Sequence, residues 1–107
     1  MDRRKFFRLA AGWLAVACAV QRLQAKDDAL TAPIHRVPVE SRSIASIGFH
    51  AELQVLEIEF RSGALYRYLA VPPEIFEGLQ KADSKGRYFI QKIRGHFAFH
   101  RLADVKP

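Results

Sequence analysis

The chain has 107 residues, half of them apolar and 11% aromatic, with a formal net charge of +6; this excludes more than one domain, and it excludes a disordered chain. A basic balance points to an anionic partner such as nucleic acid until the charge is located. Residues 1–25 carry Arg3, Arg4, Lys5, Arg8 and Arg22 against Asp2, a net +4, whereas residues 26–107 carry 12 Lys/Arg against 10 Asp/Glu, a net +2, so bulk charge does not argue for nucleic acid.

Residues 1–25 read as an export signal. Arg3, Arg4, Lys5 and Arg8 form a positive region, Leu9 to Val20 is a weakly apolar run of twelve residues, and Ala25 closes a small-residue cleavage site. The run is shorter than the roughly 20 residues a spanning helix needs, so no transmembrane helix is expected in the mature form. Asp2-Arg3-Arg4-Lys5-Phe6-Phe7-Arg8 resembles the twin-arginine signal, with Arg3, Arg4 and Phe6 as its recognition residues. Asp2 stands where that pattern has Ser or Thr, and Phe7 where it has Leu. An uncleaved amphipathic anchor is the structural alternative. Ala15-Val16-Ala17-Cys18 loosely resembles a lipobox, which would anchor the mature chain through a lipid on Cys18; Ala15 in place of Leu makes this the minority reading. Cys18 is the single cysteine, so residues 26–107 contain no thiol and hold together without a disulfide.

Lys26 to Glu40, with Pro33 and Pro38 and no sustained period, reads as an extended linker before a domain over residues 41–107. Ser43 to His50 alternates, with Ala45, Ile47 and Phe49 on one face and Ile44, Ser46 and Gly48 on the other, as a strand does. In the next alternating run Leu56, Ile58 and Phe60 point inward, and Glu57, Glu59 and Arg61 are expected to face water. Glu57 and Glu59 have the chemistry of a general acid–base pair, but a solvated strand face explains them more simply. Ser62-Gly63 supplies a two-residue hairpin turn. The strand that follows, Ala64 to Val71, puts Tyr66, Tyr68 and Ala70 on one side and Leu65, Arg67, Leu69 and Val71 on the other. Tyr66 and Tyr68 are a candidate stacking platform; alternatively they cover the sheet with their hydroxyls at the rim.

Pro72-Pro73 ends that strand and starts a helix, with Glu74 and Glu77 suited to its N-terminal dipole and Ile75, Phe76, Leu79 and Ala82 as its apolar stripe. Asp83-Ser84 breaks it and caps a second helix, Ser84 to Arg94, whose stripe is Phe89, Ile90 and Ile93. From Ser84 to Arg101 the chain carries Lys85, Arg87, Lys92, Arg94 and Arg101 and no acid. Arg87 and Arg94, two helical turns apart, are expected to share a face that is either solvated or ready for an anion. His96 to Leu102 alternates as a short last strand. On a strand His96 and His100 stand about 13 Å apart, too far to share a metal. No metal, cofactor, activated nucleophile or phosphate loop is indicated.

The Ser43–His50 strand, Leu56-Glu57-Ile58-Glu59-Phe60, Ser62-Gly63, Tyr66-Arg67-Tyr68, Val71-Pro72, Phe76, Leu79, Ala82-Asp83-Ser84-Lys85-Gly86, Tyr88-Phe89 and Ile93-Arg94 together resemble the KTSC domain. The resemblance covers about residues 41–101, with Phe49-His50 where Tyr-Asp is usual and Ile90 where Asn is common. It implies the tyrosine pair Tyr66/Tyr68 as the family's hallmark, a domain found at the end of some lysyl-tRNA synthetases and as a stand-alone bacterial protein, and no established activity. RNA binding is suggested by the synthetase context alone, and an export signal conflicts with it. The sequence thus predicts a small α+β domain: an antiparallel sheet of three to four strands with two helices packed on one face. Its function reads as an exported, non-enzymatic binding module with Tyr66, Arg67, Tyr68, Arg87 and Arg94 as the surface for an anionic or aromatic-stackable partner. The translocation machinery is the partner of residues 1–25, and RNA binding by the same surface is the alternative.

Overall fold

The computed structural model describes residues 28–104. The chain divides into two units, residues 1–31 and residues 32–107. In the first, residues 28–31 are helical. The second is a meander of strands β1 (Val37–Pro38), β2 (Ile44–His50), β3 (Val55–Phe60), β4 (Ala64–Tyr68) and β5 (Phe99–Asp104), antiparallel throughout and in spatial order β1-β2-β3-β4-β5. Between β4 and β5 the chain makes helix α1 (Pro73–Lys81), the short helix α2 (Lys85–Tyr88) and a π-helical turn (Phe89–Ile93). The sheet has five strands among the described residues, not three or four. The added strand, β1, is two residues long and contains Pro38. It carries no periodicity, and its pairing of Val37 with Ile47 and Pro38 with Ser46 is a tertiary event.

Each local element has a local cause. The β3–β4 connection is three residues, 61–63, one more than the two-residue turn expected, and Gly63 takes φ +96° within it. Pro73 sits in the first turn of α1, where its missing N–H costs nothing. The Lys85 ammonium donates to the Gln80 and Ala82 carbonyls at 3.0 and 3.1 Å, satisfying the end of that helix. Ser84 Oγ accepts the Arg87 N–H at 3.3 Å as N-cap of α2.

Two irregularities decide which residues reach the core. A bulge between Ile44 and Ser46 breaks the alternation of β2, so Ile44 and Ile47 both enter one apolar cluster instead of facing opposite ways. Ala70 adopts φ +55°, ending β4 at Tyr68 and not at Val71. The flip turns Val71 into the same cluster as Tyr68, against strand parity. Leu79 of α1 and Ile93 of the π turn pack on Ile44, Leu56, Ile58 and Tyr68, so the helical segment covers one face of the sheet.

The opposite face carries charge. Register places Glu57 beside Arg67, and both are buried, at 3% and 6% exposure. The expectation that Glu57 faces water is therefore corrected. Its carboxylate accepts from Arg67 Nε at 2.7 Å and from an Arg36 NH group at 2.6 Å. Arg36 Nε also donates to Ser46 Oγ at 3.1 Å, which in turn donates to Glu59 at 2.8 Å. Arg67 donates further to the Ala32 carbonyl at 2.6 Å. Residues 32–36, expected to be part of an extended linker, run along this face instead. At Gly48 a side chain would collide with the His35 carbonyl and come within 2.8 Å of Ile34. Alternation assigns Glu57 a face; it does not reveal that another segment covers that face.

Candidate functional site

On the helix-covered face, five rings from four elements close into a circuit. Phe60 of β3 meets Tyr66 of β4 with centroids 5.6 Å apart, Tyr66 meets Phe99 of β5 at 5.5 Å, and Phe99 meets Tyr68 at 5.7 Å. Tyr68 meets Phe89 of the π turn at 5.7 Å, and Phe89 returns to Phe60 at 5.2 Å. Tyr66 and Tyr68 lie nearly parallel across the circuit at 6.2 Å. Edge-to-face and tilted contacts of this kind are favourable for aromatic quadrupoles. Strand parity makes the arrangement, because Phe60, Tyr66, Tyr68 and Phe99 all fall on the same side of adjoining strands.

A cleft of about 400 Å³ opens among these rings, and Ser62, Ala64, Arg94 and Gly95 complete its lining. Arg94 is exposed and follows the π turn, its N–H bonded to the Phe89 carbonyl at 2.8 Å. Its guanidinium forms no salt bridge among the described residues. Arg101 places its guanidinium carbon 5.9 Å from the centre of the Tyr66 ring, at cation–π distance. Among the described residues no carboxylate lines the cleft. Burial, reinforced by the neighbouring Tyr66 hydroxyl, pushes the Tyr68 hydroxyl up to about 12, with Arg94 pulling the other way. At neutral pH Tyr68 is therefore a protonated phenol, able to donate.

The five residues expected to form one surface separate into three places. Tyr66, Tyr68 and Arg94 come together in the cleft. Arg67 lies on the opposite face, buried on Glu57. Arg87 is exposed on α2 and does not line the cleft; the wide π turn carries Arg94 out of the two-turn register with it. Phe60, Phe89 and Phe99 are cleft residues that the sequence treats as ordinary apolar positions. The parity of Phe60 and Phe99 with the tyrosine pair is the signal that finds two of them. Arg3, Arg4, Phe6 and Cys18 lie outside the described residues. Among the described residues no three His, Cys, Asp or Glu side chains converge on a metal position, and no helix is long and apolar enough to cross a membrane.

The fold and the cleft define a small antiparallel α+β domain with an aromatic site on its helical face. Residues 40–97 match the KTSC domain, and the chain belongs to that family. It is 38% identical to a KTSC domain protein from Yersinia pestis of known crystal structure, with a TM-score of 0.65 over 66% of this chain and 100% of that one. An uncharacterised protein of Stutzerimonas stutzeri is 50% identical over 68 residues, 63% of this chain and 96% of its own length. A lysine–tRNA ligase of Nostoc punctiforme is 41% identical over 64 residues, which are 60% of this chain and 11% of that ligase. The domain thus occurs both as nearly the whole of a small protein and as a minor part of a much larger one.

Proposed function

We propose that this protein is an exported, non-enzymatic binding module whose ligand occupies the aromatic cleft and is held there by Tyr66, Tyr68 and Arg94. The observation that carries the reading is a cationic side chain, with no salt-bridge partner among the described residues, lining a cleft walled by aromatic rings. Apolar walls that exclude water, with a few polar groups fixing orientation, are the usual form of a small-ligand site. An arginine beside such walls favours an anion, because the guanidinium loses water on binding and regains a charge-assisted hydrogen bond. Export rests on Arg3, Arg4 and Phe6 ahead of the apolar run. Fusing residues 1–25 to a reporter is expected to export it in a folded state, and Arg3→Lys with Arg4→Lys is expected to hold it in the cytoplasm. A reporter that stays cytoplasmic with the native segment removes export from the proposal. The variant Arg94→Ala is expected to weaken ligand capture without unfolding the domain; capture at undiminished affinity places the site elsewhere.

A second reading, RNA binding, is favoured by one observation: the relative in Nostoc punctiforme is named a lysine–tRNA ligase. Filter binding of the full chain to RNA at two salt concentrations tests it. Phosphate-driven binding falls steeply between about 50 and 200 mM salt. Flat or absent binding rejects it.

A further inference from the structure

The cleft is specific about charge and size, and both narrow the ligand beyond the reading above, on which this inference rests. Aromatic cages commonly take cations over ring faces. Here the charged group among the lining residues is itself a cation, Arg94, while Arg101 lies over Tyr66 outside that lining. With no acid among the described lining residues, an incoming cation meets the like charge of Arg94. An anion is therefore selected.

The anion is a weakly charged one. A single guanidinium lines the cleft, and its planar fork matches one carboxylate through two parallel hydrogen bonds. Arg87, the further cation a phosphodiester track would use, stands outside the cleft. The volume of about 400 Å³ lies near the lower end of small-ligand sites and suits one ring system with a short acid, not a polymer. Tyr68 keeps its proton, so no phenolate competes with the ligand for Arg94. Phe99, 55% exposed on β5, leaves one aromatic wall open to solvent as the way in.

We propose that the cleft binds a free aromatic carboxylic acid of one or two fused rings, its ring seated among Phe60, Tyr66, Tyr68, Phe89 and Phe99 and its carboxylate paired with Arg94.

Isothermal titration of the full chain with 2-naphthoate, 2-naphthamide, 2-naphthylmethylammonium and AMP tests the proposal. Sub-millimolar binding of naphthoate is expected, with the amide about tenfold or more weaker and the ammonium compound weaker still, as befits a lost charge-assisted hydrogen bond. Arg94→Gln is expected to bring naphthoate down to the level of the amide while leaving the amide unchanged. Phe99→Ala is expected to weaken both. Each variant is first checked for an unchanged thermal melt. Phe99→Leu, which removes the ring but keeps an apolar side chain, serves as a second wall variant if Phe99→Ala fails to fold. Equal affinity for acid and amide overturns the proposal, as does naphthoate binding indifferent to Arg94→Gln or the absence of sub-millimolar naphthoate binding. If AMP binds instead and is lost in Arg94→Gln, the aromatic-acid class is wrong while the cleft remains the binding site. If no probe responds to Arg94→Gln or to Phe99→Ala, both the ligand class and the cleft reading fall.

Discussion

On one face of the sheet Arg67 lies 2.7 Å from the Glu57 carboxylate, donates to a backbone carbonyl and is covered by residues 32–36. On the other face Arg94 stands exposed at an aromatic cleft that no carboxylate among the described residues lines. Both arginines come from the central aromatic-basic part of the chain, and sequence chemistry alone gives them equal standing as anion binders. Their surroundings separate them. A guanidinium whose donors are already engaged on buried acceptors has little left to offer a ligand, and removing its partner strands a buried charge. A guanidinium without such a partner contributes little to folding and retains its capacity for a ligand. The comparison teaches that satisfaction of hydrogen-bonding groups, more than residue type, divides structural charge from functional charge.

The largest expected effect tests the covered face. Glu57→Ala leaves Arg67 and Arg36 without their shared carboxylate and is expected to cost about 3–5 kcal/mol in chemical denaturation, the range for breaking a buried pair. A loss under about 1 kcal/mol would mean the network is no more than surface pairing. Next in size, Gly48→Ala drives a methyl group into the His35 carbonyl and Ile34. It is expected to cost about 1–3 kcal/mol, as overpacking does, and to speed hydrogen exchange at residues 34–38 before the rest of the sheet. Uniform exchange would show that this covering segment is not a separate unit.

The aromatic face is sharpened by pH. The Tyr68 hydroxyl has its folded value raised from 10.0 to about 12, so the folded state holds its proton more tightly than the unfolded one. Its contribution is fully present below pH 10 and is lost as pH rises toward 12, at most on the order of 2 kcal/mol. Tyr68→Phe is expected to flatten that alkaline decline in a denaturation series at pH 9 to 12. An unchanged slope would show that Tyr68 is not buried as described. The smallest effect is the complement of the first: Arg94→Ala is expected to alter stability by less than about 0.5 kcal/mol. A cost comparable to that of Glu57→Ala would erase the distinction between the two faces.

Several features were legible because their causes are local. The position of the glycine turn between β3 and β4 (though not its length), the Pro-initiated α1 and the Ser84 cap each depend on residues within one turn of the chain. Strand parity also placed Tyr66 and Tyr68 opposite Arg67, so their separation was already implied by period two. The bulge in β2 and the reversal at Ala70 were not legible, since neither position is a glycine that would announce an unusual backbone. Nor was β1, because two residues carry no pattern. The neighbours of Arg94 were hidden for another reason: Tyr68 and Phe60 lie 26 and 34 positions away, and the π turn alters the helical register that brings it to them.

Residue order by itself determined the family, the antiparallel alternation, the helix starts and the presence of a tyrosine pair, because each is written in spacing over a few residues. Tertiary structure decided that Glu57 and Arg67 are covered and that five rings and Arg94 meet around one opening. Burial and convergence depend on which distant segment comes to lie against a surface, and the spacing of neighbouring residues does not encode that.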